Sequence, residues 1–415
     1  MKLAGENNMK YLDFIDPTYK PKGTDLICTF YVEPEGISIQ EAAGGVAAES
    51  SVGTWTELTT EQPYVKCLAA HVFSIEGNVI KIAYPIELFE PANMPNILSS
   101  VAGNVFGLKA LRNLRLLDIE MPRALVSSFK GPNYGIVGIR SLLKVPQRPL
   151  VGTIIKPKLG LKTKDHAKVA YEAWSGGCDI VKDDENLSSQ SFNPFEERLA
   201  QTLESRDKAQ QETGERKVYM INVTAETSLM IKRAEAVVAQ GGEYVMVDIL
   251  TTGWSALQTL RDQNYKLVIH AHRAGHAAFT KSQLHGIAMR PIATVARLIG
   301  VDQLHVGTVV GKMSETKVEV LENIDACKTP RVKLKSVLPV ASGGLHPRLV
   351  PALLETFGND VIIQAGGGIH GHPNGTMAGA KAMRQAVDST LKGVTLNEYA
   401  KTHKELKEAL EQWKA

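Results

Sequence analysis

The chain has 415 residues, of which 44% are hydrophobic and 22% charged, with a formal net charge of +3. That length suits one large domain and a smaller one, and the nearly balanced charge gives no footprint for nucleic acid. Four scattered cysteines, Cys28, Cys67, Cys178 and Cys327, show neither a CxxC pair nor zinc spacing, so they read as reduced thiols of a cytoplasmic protein. The first residues lack the apolar core of a signal peptide, and no run reaches the roughly 20 apolar residues that cross a membrane. Asn222-Val223-Thr224 fits the glycosylation pattern but reads as part of a strand.

In chain order, the apolar runs 26–31, 67–74 and 79–85 predict antiparallel strands, flanked by helices over 38–49 and 94–103. This is a separate α+β domain. Gly131-Pro132-Asn133-Tyr134-Gly135 interrupts the pattern and divides the chain into residues 1–131 and 132–415. Thereafter eight short β-branched runs, at 150–155, 179–182, 218–223, 244–249, 267–270, 304–309, 337–340 and 361–365, alternate with helical stretches. The helical stretches are 165–174, 195–210, 228–240, 291–299, 318–327, 349–357 and 377–391. Such alternation predicts a parallel (β/α)8 TIM barrel, with a doubly wound open sheet as the alternative. The absence of a glycine-rich dinucleotide fingerprint in the first turn favours the barrel. Residues 396–413 read as one charged, solvated helix without chemistry.

In a TIM barrel, reacting groups stand at the carboxyl ends of strands. Lys156 and Lys158 follow the first run, two residues apart and so on one side of an extended chain. Lys182, Asp184 and Glu185 follow the second. Carboxylates of this kind suit magnesium, but a lysine ammonium cannot ligate a cation. Addition of CO2 to the neutral amine would convert Lys182 into a carbamate, an anionic oxygen ligand on a long arm; a simple Lys-Asp ion pair is the alternative. His270-Ala271-His272-Arg273 follows the fifth run and suits metal binding, proton transfer or phosphate binding alike. His305 opens a glycine-flanked loop that carries Lys312. Ser342-Gly343-Gly344 and Gly366-Gly367-Gly368 end the last two runs, where backbone amides of a barrel approach an anion. With Arg273 and His305 across the mouth, these glycines suggest a substrate carrying a phosphate at each end.

Several of these runs resemble the large subunit of ribulose bisphosphate carboxylase/oxygenase (RuBisCO). The strongest are Lys156-Pro157-Lys158-Leu159-Gly160, the stretch from Gly176 to Asn186, His272 to His276, His305 to Lys312 and the two glycine runs. Ala48 to Trp55 and Gly103 to Gly107 add to them, and the likeness spans nearly the whole chain. The resemblance implies carboxylation of ribulose bisphosphate to two 3-phosphoglycerates, with O2 as a competing substrate. It implies a carbamylated Lys182 that binds Mg2+ with Asp184 and Glu185 and starts enolisation. Lys156, assisted by Lys158, would polarise the substrate and protonate the final carbanion, and His272 would move hydroxyl protons. Lys312, paired with Glu49, would stabilise the new carboxylate. Arg273 and His305 would hold one phosphate; Thr54, Trp55, Gly344, Gly366 and Gly367 the other; Ser342, beside Gly343, would contact the sugar hydroxyls. Glu49, Thr54, Trp55 and Asn104 would come from the neighbouring subunit, so a homodimer is the smallest competent unit.

Ile154 stands where many plant-type members have threonine. The carboxyl end resembles the archaeal form III subgroup, which implies no small subunit, a homodimer or higher assembly of dimers, and a role in nucleotide (AMP) salvage. A RuBisCO-like isomerase or enolase would lack some of Lys312, His272, Gly366 and Gly367. A carbamylated-lysine amidohydrolase places its HxH pair after strand one, not five. A scaffold protein gives no reason for titratable residues at so many strand ends.

Overall fold

The computed structural model describes residues 9–56, 58–311, 315–331 and 333–414. These form two compact units. Met1–Lys130, Gly275–Leu298 and Val332–Leu334 make the first, and Gly131–Ala274, Ile299–Arg331 and Lys335–Ala415 the second.

The first unit is built on a five-stranded sheet in the order Gly286–Ile287, Leu111–Glu120, Leu26–Pro34, Val79–Tyr84, His71–Glu76. Alternation of side chains across the sheet puts Leu26, Cys28, Phe30 and Val32 into its core. The helix Ile39–Glu49 starts at a capping box, with the Glu41 backbone N–H donating to Ser38 Oγ at 3.2 Å and the Ser38 N–H to Glu41 Oε2 at 2.9 Å. Gly44 on this helix lies against Tyr11, and a Cβ there would stand 2.0 Å from the Tyr11 carbonyl oxygen. Gly44→Ala is therefore expected to cost about 1–3 kcal/mol of stability through overpacking. Thermal unfolding checks this, and an unchanged midpoint would refute the close packing.

Two features of this unit differ from expectation. Residues 67–70 are not part of the strand: Pro63–Leu68 is a 3-10 turn, with proline suited to its first position, and the strand begins at His71. The strand Leu111–Glu120 was not anticipated, because four of its ten residues are charged. One of them, Arg115, is buried with Nη1 donating to Gln283 Oε1 at 2.5 Å and Nη2 to the Thr280 carbonyl at 3.3 Å.

In the second unit eight parallel strands close into a barrel: Leu150–Ile154, Ile180–Lys182, Val218–Asn222, Tyr244–Asp248, Val268–His272, Gln303–His305, Leu338–Ser342 and Ile362–Gln364. All eight expected runs are present. The helix Trp254–Asp262 between strands four and five is additional. Leu150, Ile180, Val218, Tyr244, Val268, Leu338 and Ile362, the first residues of their strands, pack into one cluster with Ile139 and Leu143 of the helix Gly135–Leu143. Apolar side chains thus plug the amino end of the barrel, and polar chemistry is left to the carboxyl end.

The expected helix over 396–413 is two, Leu396–Tyr399 and Lys404–Gln412. His403 interrupts it, with its ring stacked 3.7 Å from that of Tyr399 and its Nδ1 2.8 Å from the Tyr399 carbonyl oxygen. Nor is the segment wholly solvated, since Leu406, Ala409 and Leu410 are buried. Cys28, Cys178 and Cys327 are buried free thiols and Cys67 is exposed. No helix among the described residues is long and apolar enough to cross a membrane.

Candidate active site

Lys182 ends barrel strand two and is fully buried, opposite Ile154 on strand one and Met220 on strand three. Its Nζ donates to the Asp183 carbonyl at 2.7 Å and stands 3.8 Å from Glu185 Oε2. Burial pushes the amine below the ordinary lysine range against the pull of Glu185, Asp184 and Asp183. An amine held this way is closer to the neutral, nucleophilic form than a surface lysine.

The neighbouring carboxylates divide into two kinds. Asp184 is buried and takes an ion pair from Lys156 Nζ at 2.7 Å, across from the end of strand one. Glu185 lies 3.6 Å from His272 Nε2; burial alone would raise its carboxyl, but His272 and Lys182 outweigh burial and lower it. Asp183 points the other way. Its Oδ1 accepts from Tyr219 Oη at 2.6 Å and faces His166 Nε2 at 3.2 Å, while its Oδ2 accepts from Arg198 Nε at 3.1 Å and the Asn222 backbone N–H at 3.0 Å. Burial would raise this carboxyl too, yet Arg198, His166 and Tyr219 together hold it below the usual carboxylate range.

Arg198 reaches further, donating Nη1 to the Asn193 carbonyl at 2.7 Å and Nη2 to the Ser188 carbonyl at 2.6 Å. Asn222, the strand residue of the apparent glycosylation pattern, is buried and donates Nδ2 to the Glu185 carbonyl at 3.1 Å and the Leu187 carbonyl at 2.9 Å. The loop bearing Asp184 and Glu185 is therefore fixed from beneath by buried groups.

Around the mouth, Lys158 is exposed and donates to Asn186 Oδ1 at 3.1 Å. Gly366 lies against Lys156: a Cβ there would be 3.0 Å from Lys156 Cε. His272 Nδ1 faces Asp248 Oδ1 at 3.4 Å, and that oxygen also accepts the Ala274 N–H at 2.7 Å. A line of polar side chains crosses strands five to seven. His270 Nδ1 meets Gln303 Oε1 at 2.9 Å, His270 Nε2 meets His305 Nε2 at 2.9 Å, and His305 Nδ1 meets Ser342 Oγ at 2.7 Å.

Arg273 is buried, with Nη2 bonded to Glu315 Oε1 at 2.5 Å, while its Nη1 has no hydrogen-bond partner among the described residues. A buried guanidinium of this kind can donate a charge-assisted hydrogen bond to an anion. Gly343 and Gly344 adopt left-handed φ of +118° and +73°, conformations that favour glycine.

In the first unit Glu49 accepts from Tyr11 Oη at 2.8 Å, and burial with this bond raises the tyrosine to about 12. Trp55 is 81% exposed and Asn104 is exposed, while Thr54 is half-buried. Lys312 lies outside the described residues. The groups that sequence reasoning passed over are Asp248, Gln303, Arg198, Tyr219 and His166. Asp248 alone carried a signal, a lone acid closing the apolar run Tyr244 to Val247.

Burial depresses His270, His272 and His305 below the ordinary value of 6.5, most strongly His270 and His305. The unfolded chain thus binds more protons than the folded one below that value. Their stabilising contribution is complete above about pH 6.5 and is lost as the pH falls towards the folded values. The urea midpoint is expected to drop between about pH 7.5 and about pH 5.5. A midpoint that held or rose would contradict neutral, buried histidines.

The sequence matches the family model for the ribulose bisphosphate carboxylase large chain, catalytic domain, over residues 135–413, and that for the large chain, N-terminal domain, over residues 13–125. Ribulose bisphosphate carboxylase of Pyrococcus furiosus is 52% identical over 409 residues, covering 97% of each chain. That of Methanocaldococcus jannaschii is 49% identical, over 97% of this chain and all of its own. Among solved structures, the octameric Rubisco of Pyrococcus horikoshii in complex with a sulfate ion is 49% identical with a TM-score of 0.96, over 99% of each chain. The dimeric archaeal Rubisco of Hyperthermus butylicus is 45% identical with a TM-score of 0.90, over 97% of this chain and 99% of that one. With both family models, near-complete coverage of archaeal relatives and a closed eight-stranded barrel in agreement, the chain belongs to the ribulose bisphosphate carboxylase large-chain family of enzymes.

Proposed function

We propose that the protein carboxylates ribulose bisphosphate with CO2 and water to give two molecules of 3-phosphoglycerate, with a competing oxygenase reaction. The observation that carries this reading is Lys182, a fully buried amine lowered by burial, 3.8 Å from Glu185 and within the electrostatic reach of Asp184. Its neutral nitrogen would attack CO2, forming the N–C bond of a carbamate and releasing one proton. Among the described residues no three His, Cys, Asp or Glu side chains are placed to hold a metal ion. A carbamate on Lys182 would add an anionic oxygen ligand to the carboxylates of Asp184 and Glu185, and that all-oxygen set would fit Mg2+. Bound there, the ion would polarise the substrate's carbonyl and hydroxyl oxygens.

The remaining roles fall to the chain's own residues. Lys156, an ammonium beside Asp184 at the mouth, would polarise the substrate and return a proton to the product carbanion, assisted by Lys158. His272, oriented by Asp248, would carry hydroxyl protons. Arg273 through Nη1, together with His305, would take one phosphate; Gly344, Gly366 and Gly367 would take the other, and Ser342, beside Gly343, the sugar hydroxyls. Glu49, Thr54, Trp55 and Asn104 of the amino-terminal domain would complete the site of a partner subunit, and Lys312 would meet the new carboxylate. The dimer is therefore the working unit in this reading, alone or in an assembly of dimers, without a small subunit. The resemblance of the carboxyl end to the archaeal form III subgroup implies a cytoplasmic role in nucleotide (AMP) salvage.

The test is incubation with ribulose bisphosphate, labelled bicarbonate and magnesium. Labelled 3-phosphoglycerate is the expected product, and its absence from folded protein preincubated with CO2 would overturn the reading.

A further inference from the structure

The segment that the sequence left without chemistry reaches both glycine loops of the barrel mouth. The helix Lys404–Gln412 is fastened to the helix Gly375–Leu391, which follows the strand-eight loop. The Leu406 backbone N–H donates to Gln385 Oε1 at 2.9 Å, and Gln385 Nε2 returns a bond to Glu405 Oε2 at 2.9 Å. Lys381 Nζ pairs with Glu405 at 2.7 Å. His372, just beyond the strand-eight glycines, places Nε2 3.0 Å from the Glu405 carbonyl oxygen.

At its far end the same helix turns to the strand-seven loop. Trp413 stacks on His346 with ring centroids 5.6 Å apart and planes 16° from parallel. Arg348 clamps the helix end, Nε donating to the Trp413 carbonyl at 2.8 Å and Nη2 to the Leu410 carbonyl at 2.7 Å. Behind His346 lies the other loop. A Cβ on Gly368 would fall 1.9 Å from the Leu345 carbonyl oxygen and 2.8 Å from His346 Cα, and one on Gly371 would be 3.8 Å from the Trp413 ring.

His346, half-buried, thus stacks on the indole of Trp413 while its Cα lies close to the Gly368 backbone. The helix Lys404–Gln412 is bonded on one side to His372 after strand eight and on the other to Arg348 after strand seven.

We propose that the helix Lys404–Gln412 and Trp413 form a clasp that sets the spacing of the strand-seven and strand-eight glycine loops. This makes Trp413 and Arg348 positioning residues for the anion held between those loops. The inference rests on the proposal that Gly344, Gly366 and Gly367 bind a substrate phosphate. Backbone amides bind an anion well only when held in register, and a displacement of about 1 Å is enough to cost much of the interaction.

The decisive comparison is Trp413→Ala against Trp413→Phe, which keeps an aromatic face for His346. In Trp413→Ala the KM for ribulose bisphosphate should rise about tenfold with kcat nearly unchanged, the signature of lost ground-state binding. Trp413→Phe should restore most of it, and the magnesium dependence of activation should be the same in both. A general loss of structure would lower kcat and KM performance together and would not be rescued by Phe alone. Arg348→Gln, which removes the fork from outside the helix, should reproduce the KM shift if Trp413→Ala fails to fold.

A KM unchanged in Trp413→Ala, or in Arg348→Gln where it replaces that variant, would overturn the clasp. If the wild type makes no phosphoglycerate, the functional reading falls, and calorimetry with inorganic phosphate still decides the clasp. Weaker phosphate binding by Trp413→Ala than by wild type supports it, and equal binding refutes it.

Discussion

Lys182→Met is expected to reduce carboxylation by roughly 10³-fold or more, the scale of losing a positioned proton-transfer group. The thermal midpoint should stay at or above that of the wild type. The two outcomes separate because the amine is fully buried. Its charge costs desolvation, and a thioether of similar length removes that cost while filling the same space. Lys182→Arg keeps a cation but has no neutral amine to add CO2, so it should be as inactive. Phosphoglycerate formation after preincubation with CO2, alongside a melting curve, reads both quantities. Retained activity in either variant would remove the carbamate from the mechanism.

The largest expected loss of stability comes from Asp183, the residue just beyond the same strand. Asp183→Ala leaves the guanidinium of Arg198 buried without its carboxylate and should destabilise the chain by about 3–5 kcal/mol. The double variant Asp183→Leu with Arg198→Met should recover much of that, because both charges then disappear together. Denaturant unfolding of the three proteins forms the test. Equal losses in the single and double variants would mean that Arg198 acts through its bonds to the Asn193 and Ser188 carbonyls and not through charge pairing.

The barrel was readable because most strands are compact runs rich in β-branched residues whose ends are marked by a polar residue, as Val181-Lys182 and Ala341-Ser342 illustrate. What failed to read was structure held by long-range partners. Leu111–Glu120 carries its charges inside a paired strand because Gln283 and Thr280, far away in sequence, accept the bonds of Arg115. The break at His403 depends on a side chain turning back onto Tyr399, which no proline or glycine announces. Within the site, Lys156, Lys182, Asp184, Glu185 and His272 were legible as titratable residues at strand ends, and the structure pairs Lys156 with Asp184 and brings both Lys182 and His272 to Glu185. Their supports were not. Arg198 and Tyr219 look like an outer-helix charge and a strand aromatic until the fold turns both towards Asp183.

The ion pair between Lys156 and Asp184 has a consequence for order of assembly. At rest two lysines face two carboxylates, and a site so nearly neutral has little attraction for a dication. Carbamylation would turn one of those cations into an anion, leaving three negative groups and Lys156, a surplus that matches a divalent ion in size and sign. Gas would then be admitted before metal. The enzyme would in effect weigh the CO2 around it before arming itself, and Lys156 would be freed from Asp184 just as a substrate needs it.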